Sequence, residues 1–164
     1  MSIDLPADAS LCMFLPSPEA TSWLGEWLST ALRPGDVVLL HGQIGAGKSH
    51  LARALIRARL GRMEDVPSPT FTLVQTYATD EAEIWHADLY RLTQLDEITE
   101  LGLEAAFETA ICLIEWPERL GDLAPKNALH LTLTPKDDGR CAVLRSTAHM
   151  TLLANLSRDW AAHA

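Results

Sequence analysis

Eight residues constrain this chain more than any others: Gly42-Gln43-Ile44-Gly45-Ala46-Gly47-Lys48-Ser49, a full match to G-x-x-x-x-G-K-[ST]. Before them runs Asp36-Val37-Val38-Leu39-Leu40-His41, which is too apolar for a half-exposed strand and reads as a central one. After them, Lys48 to Leu60 reads as a helix with Leu51, Leu55 and Ala58 on its apolar side and Gly61 as its C-terminal stop. Strand, glycine-rich turn and helix in that order make a phosphate-binding loop. The glycines let the backbone curl into a nest whose N–H groups point at phosphate oxygens. Lys48 bridges the β- and γ-phosphates, and the Ser49 hydroxyl offers Mg²⁺ a hard oxygen ligand. The helix that follows presents its positive N-terminal end to the same anion. The expectation is a nucleoside triphosphate site formed by Gly42 to Ser49 and the next helical residue, His50.

Length and composition bound the rest. The 164 residues suit one compact unit and leave no room for a separate substrate domain. Hydrophobic residues are 48% and charged residues 21%, the balance of an ordinary soluble globular chain. No apolar run approaches the ~18 residues of a membrane span. The opening MSIDLPADASLCMFL has acids but no Lys or Arg, a poor secretory leader. A cytoplasmic protein with no membrane partner is expected. The 22 acidic residues outnumber the 13 basic ones, giving a net charge of −9, so stable direct binding of nucleic acid is not expected. The cysteines, Cys12, Cys112 and Cys141, are far apart and include no C-x-x-C pair, which excludes a zinc ribbon and a disulfide framework. Cys112 lies in an apolar run and reads as a small buried hydrophobe.

Along the chain, Ser17-Pro18 caps and opens a helix whose Ala20, Trp23, Leu24, Trp27, Leu28 and Ala31 form one apolar face; Pro34-Gly35 ends it. Val66 to Pro69 reads as an extended loop. Two β-rich stretches follow, Thr70–Tyr77 and Glu83–Ala87, and then an acidic helix or helix pair over Leu95 to Phe107, broken near Gly102. Ile111-Cys112-Leu113-Ile114 is a second fully apolar strand, ending at Glu115. Ala128–Thr134 and Cys141–Arg145 alternate around Pro135 to Gly139 as a hairpin-like pair, and a helix from about Thr147 to Ala162 closes the chain. The fold class expected is α/β: a P-loop NTPase domain over residues 1–164, with a mostly parallel central sheet, flanking helices and antiparallel strand pairs.

The second apolar strand supplies the other half of the site. A buried parallel strand delivers its terminal acid, Glu115, to the sheet edge where ligands of open α/β sheets gather, within reach of Mg²⁺ directly or through water. Asp88 ends another short strand, placed either to orient water or Mg²⁺ or to cap the turn that follows. Thr70, in Ser68-Pro69-Thr70, lies where nucleotide switches keep a mobile threonine that could join Mg²⁺ or sense the γ-phosphate. Trp116 reads as wall beside the nucleotide, and His86, two residues before Asp88, as packing. Residues 80–122 hold 12 acidic and 2 basic residues, either a solvated face or an electrostatic docking surface for a basic partner.

Taken together and in order, GQIGAGKS, SPTFTLVQTY, HADLYRL and ICLIEWPERLG resemble the TsaE (YjeE) family of bacterial P-loop ATPases, over roughly Glu19 to Leu133. The resemblance implies an ATP·Mg²⁺-binding protein that serves threonylcarbamoyladenosine modification of tRNA and associates with the TsaB–TsaD pair. It places Lys48, Ser49, Asp88 and Glu115 on functional positions, Thr70 on a switch-like loop and Trp116 after the Walker B acid. It also implies that a residue near Glu19 and the Gly139-Arg140 turn border the nucleotide. The family usually has Asp where this chain has Gln43 and often Thr where it has Ser49; serine supplies the same hydroxyl, whereas Gln43 cannot act as a base or anionic ligand. The alternative class is a P-loop kinase of a small metabolite. That reading lacks a lid-like insertion, and the arginines after the P-loop helix are scattered in sequence. A GTP-regulated switch would need N-K-x-D, and Pro125-Lys126-Asn127-Ala128 has the wrong order. A non-catalytic nucleotide clamp would separate from these by its lack of turnover.

Overall fold

The computed structural model describes residues 9–61, 64–69 and 73–163. In chain order these form β1 (Ala9–Leu15), α1 (Pro18–Ala31), β2 (Val37–His41), α2 (Lys48–Leu60), β3 (Val74–Ala78) and β4 (Glu83–Asp88). Then come α3 (Leu95–Glu100), α4 (Leu103–Thr109), β5 (Ile111–Glu115), a 3-10 turn (Pro117–Leu123), β6 (Leu129–Lys136), β7 (Gly139–Ser146) and α5 (Met150–His163). All seven strands belong to one sheet, in the order β1-β7-β6-β2-β5-β4-β3. The middle four, β6, β2, β5 and β4, run parallel. β3 adds antiparallel at one edge, and β7 with β1 add antiparallel at the other.

The two fully apolar runs are neighbours at the sheet centre, and the reason is visible in the core. Val38 and Leu40 of β2 pack into one cluster with α1, α2 and α5, while Val37 and Leu39 pack into a second with α3, α4 and the 3-10 turn. A strand covered on both faces has no solvent side on which to alternate. The helix signals also act locally. Ser17 Oγ accepts from the Ala20 N–H at 3.2 Å, Pro18 opens α1, and Gly61 ends α2. Cys112 is fully buried in β5, and desolvation pushes its thiol up to about 12.

The sequence reading is corrected at several boundaries. β1 is a strand that it did not include. Its buried Met13 and Leu15 alternate with exposed Cys12 and Phe14, yet the run Leu11 to Leu15 is apolar throughout and carries no period-two signal. The helix pair broken at Gly102 is as expected, but its second helix runs past Phe107 to Thr109. The hairpin is longer than its alternation: Pro135 pairs with Arg140 and Lys136 with Gly139, leaving Asp137-Asp138 as a tight turn. The last helix begins at Met150, after Ser146 Oγ accepts from Ala148 N at 3.1 Å and holds the preceding residues in a turn. The stretch read as Thr70–Tyr77 is described from Leu73 onward, and Thr70 lies outside the described residues. Among the described residues no helix is long and apolar enough to cross a membrane.

Candidate nucleotide site

The glycine-rich turn leaves β2 at Gly42, whose φ is +144°. A Cβ there would stand 2.6 Å from the Leu133 carbonyl oxygen of β6, so the turn passes under the hairpin only because residue 42 has no side chain. Gly47, at φ +106°, hands the chain into α2. Lys48 then points back along the loop. Its Nζ donates to the Gly42 carbonyl at 2.6 Å and sits 4.0 Å from the centre of the Trp116 ring. Burial pushes the Lys48 ammonium down from its ordinary value; Glu115, Asp88 and Glu118 pull it back up.

The β4–β5 register sets the acids. Asp88 pairs directly with Glu115, so both carboxyls emerge side by side at the C-terminal ends of parallel strands. Ser49 Oγ donates to Glu115 Oε1 at 3.2 Å, joining the P-loop helix to β5. Asp88 Oδ1 accepts from the Tyr90 N–H at 3.0 Å while the residue also lines the cleft, so the cap and the site residue are one side chain. Burial raises the Asp88 carboxyl above its ordinary range, and neighbouring Glu115 adds to this against the Tyr90 N–H, Lys48 and His86.

His86 is packed, as its place in the strand suggests, and it also meets a site carboxyl. It is fully buried on the same face as Asp88, and its Nε2 lies 2.7 Å from Glu115 Oε2. That contact holds Glu115 from behind, and among the described residues Nδ1 has no hydrogen-bond partner. The signal was the period-two spacing of His86 and Asp88 on one strand face.

These groups face a cleft of about 580 Å³. Ile44, Gly45, Gly47, Lys48, Ser49 and His50 line its floor and Trp116 its wall, with Tyr90 tilted against Trp116 at 4.8 Å between ring centres. Trp116 takes a left-handed backbone conformation, φ +58°, which turns the chain sharply after Glu115. Gly42, Gln43 and Ala46 are not among the residues lining the cleft; within the loop the Gln43 carbonyl accepts from the Ala46 N–H at 3.0 Å. Arg140, from β7, clamps the loop from outside. Its Nε donates to the Ala46 carbonyl at 2.8 Å and its Nη2 to the Gly45 carbonyl at 3.2 Å.

Four cleft residues are not among the candidates drawn from the sequence: Arg53, Ser68, Tyr90 and Arg91. Arg53 follows Ser49 by one helical turn, a spacing that was legible; Tyr90 and Arg91 arrive on the loop after β4, whose course no local signal predicts. Arginines that are scattered in sequence therefore share one space: Arg53, Arg91 and Arg140 all border the cleft. A side hollow of about 260 Å³ adjoins the P-loop between Ser17, Pro18, Thr21, His50, Asp138 and Arg140. Glu19 is not part of either space. It points into a separate hollow with Phe14, Trp23, Trp160 and His163, because one helical residue further turns it away from Pro18's face. Ser68 of the same Ser68-Pro69-Thr70 stretch borders the cleft, and Thr70 lies outside the described residues.

The donor set fits Mg²⁺. Ser49, Glu115 and Asp88 are hard oxygen donors, and among the described residues no group of three or more His, Cys, Asp or Glu forms an all-protein metal cage. An ion that keeps its waters and takes phosphate oxygens needs only one or two such protein ligands.

Residues 15–142 match the family model described as threonylcarbamoyl adenosine biosynthesis protein TsaE. The chain is 36% identical over 143 residues to the tRNA threonylcarbamoyladenosine biosynthesis protein TsaE of Rickettsia felis, covering 86% of this chain and 84% of that one. To the protein of the same name from a Nostoc species it is 37% identical over 145 residues, covering 85% and 88%. Among solved structures, the crystal structure of YdiB from Bacillus subtilis superposes with a TM-score of 0.74 at 26% identity, covering 93% of this chain and 97% of that one.

Proposed function

The chain belongs to the TsaE family, which serves tRNA threonylcarbamoyladenosine biosynthesis, and we propose that within that pathway it binds and slowly hydrolyses ATP in complex with TsaB and TsaD. The observation that carries this reading is the convergence of Lys48, Ser49, Asp88 and Glu115, from three elements, on one cleft floored by the P-loop.

The triphosphate lies along the backbone N–H groups of the loop, with Lys48 between the β- and γ-phosphates. Lys48 reaches them by exchanging its bond to the Gly42 carbonyl for phosphate oxygens. Partial desolvation strengthens that exchange, because the ammonium has little water left to lose. The side hollow between Pro18, Thr21 and Arg140 gives the base and ribose a place next to Gly47. Ser49 and Glu115 would hold Mg²⁺, which supplies charge neutralisation on the β- and γ-phosphates when bound. His86 keeps Glu115 aimed at that position. Asp88, at the same sheet edge, orients the attacking water toward the γ-phosphorus.

Turnover by the isolated chain is slow. Arg140 is engaged by P-loop carbonyls, which leaves Lys48 as the P-loop's own cation for the developing charge. Partner proteins complete the site, and the acidic helices α3 and α4, with exposed Asp96, Glu100, Glu104 and Glu108, suit a basic protein surface rather than tRNA. A second reading, a kinase of a small metabolite, draws on Arg53 and Arg91, which border the cleft and could clamp a substrate. One experiment separates the two. ATP turnover is measured alone, with tRNA, and with TsaB plus TsaD. Stimulation by the two proteins supports the ATPase subunit; stimulation by tRNA alone, or none by the pair, favours the kinase.

A further inference from the structure

Cys12 and Cys141 meet across the β1–β7 ladder. In the antiparallel register Cys12 faces Val143 and Phe14 faces Cys141, so the two cysteines are diagonal neighbours on one face of the sheet. Their sulfurs lie 3.5 Å apart, with one thiol donating to the other. Cys12 is exposed and Cys141 half-buried, so an oxidant reaches the pair from solvent. Closing to an S–S bond of ~2.0 Å brings the sulfurs about 1.5 Å closer, and because diagonal neighbours stand ~7–8 Å apart at Cα it also needs the edge strand β1 to shift on β7. The third cysteine is a built-in contrast: Cys112 lies in the central strand, out of reach, with its thiol held protonated by burial.

We propose that Cys12 and Cys141 form a dithiol modification site that hydrogen peroxide converts to an intramolecular disulfide, strapping β1 to the hairpin that carries Arg140. Cys12 meets the oxidant first, since it is exposed while burial and the Cys12 sulfur together push the Cys141 thiol up. The Cys12 thiolate attacks one peroxide oxygen, the O–O bond breaks, and hydroxide leaves, giving a sulfenic acid at Cys12. The Cys141 thiolate then attacks that sulfur; the S–S bond forms and a second hydroxide leaves. The two protons released by the thiols turn the hydroxides into water. Two thiols are oxidised and one peroxide is reduced to two waters. The bond links residues 129 positions apart, so it removes much of the freedom of the unfolded chain. None of this depends on the nucleotide reading, since Cys12 and Cys141 line neither the cleft nor the side hollow.

The test treats the reduced full chain with hydrogen peroxide. Intact mass falls by about 2 Da, a non-reducing peptide map joins the Cys12 and Cys141 peptides, Cys112 stays a thiol, and dithiothreitol reverses the change. The oxidised chain unfolds at a temperature higher by roughly 5 °C or more than the reduced one. Cys12→Ser and Cys141→Ser each abolish both effects, and circular dichroism checks that both variants fold. A disulfide between two chains, a stable sulfinic acid at Cys12, linkage to Cys112, or an unfolding temperature that does not rise would overturn the proposal.

Discussion

The two flanks of the sheet treat polar groups in opposite ways. On the parallel side, β2, β5 and β4 are covered on both faces and end in His41, Glu115 and Asp88. The ionisable groups that close the strand ends are crowded and partnered: Lys48 on Gly42 and Trp116, Glu115 between Ser49 and His86. On the antiparallel side, β7 and β1 pack one face on the core and turn Cys12 and Phe14 to solvent. Their contribution to the site is a prop, the Arg140 guanidinium on the loop's carbonyls. Chemistry collects where parallel strands end, because each crossover opens a crevice there and low dielectric makes each charge count.

That contrast can be broken by substitution, and the largest effect falls on the parallel side. Lys48→Ala removes the charge at the β- and γ-phosphates, and ATP affinity falls by about 100-fold or more in calorimetry. Unchanged affinity would remove the P-loop assignment. Glu115→Ala keeps the fold by circular dichroism but cuts turnover about 100-fold. His86→Ala acts through Glu115, so turnover falls about tenfold at low Mg²⁺ and recovers as Mg²⁺ is raised. A loss that Mg²⁺ does not restore would make His86 structural alone.

Asp88→Asn sharpens the comparison further. ATP affinity stays within about twofold while turnover drops about tenfold, since orienting water counts in the transition state. The same variant reports burial. A carboxyl raised above its ordinary value of 3.8 binds its proton more tightly folded than unfolded, so its stabilising share is present at low pH and is lost as pH rises through the folded value. Asn has no charge to bury. At neutral pH the variant unfolds a few degrees higher than the parent, and the gap closes in acid below about pH 4. The smallest effect comes from the antiparallel side. Arg140→Ala loosens the loop from outside and raises the ATP dissociation constant only about threefold to tenfold.

Much of this was legible residue by residue. The P-loop, the apolar strand ending at Glu115, the cap at Ser17 and the break at Gly102 each carry a local signal, and each lies where that signal points. β1 had none, because an edge strand whose exposed positions are Cys12 and Phe14 does not look amphipathic. The Glu115 contact of His86 is hidden in the sequence for a related reason. A histidine alternating with Asp88 is consistent with packing until the partner strand is known, and β5 brings Glu115 to within 2.7 Å of it from 29 residues away.

The sequence by itself determined the chemistry of the loop, the central strands and the family, since these depend on residue types at short spacings. Only the tertiary structure decided which distant groups share a space. Strand order set Asp88 beside Glu115, hairpin length carried Arg140 to the P-loop carbonyls, and α1's rotation sent Glu19 to another hollow while Pro18 stayed near the loop. The physical reason is that register and crossover geometry are set by how two hydrophobic layers close around one sheet, and no window of neighbouring residues contains both layers.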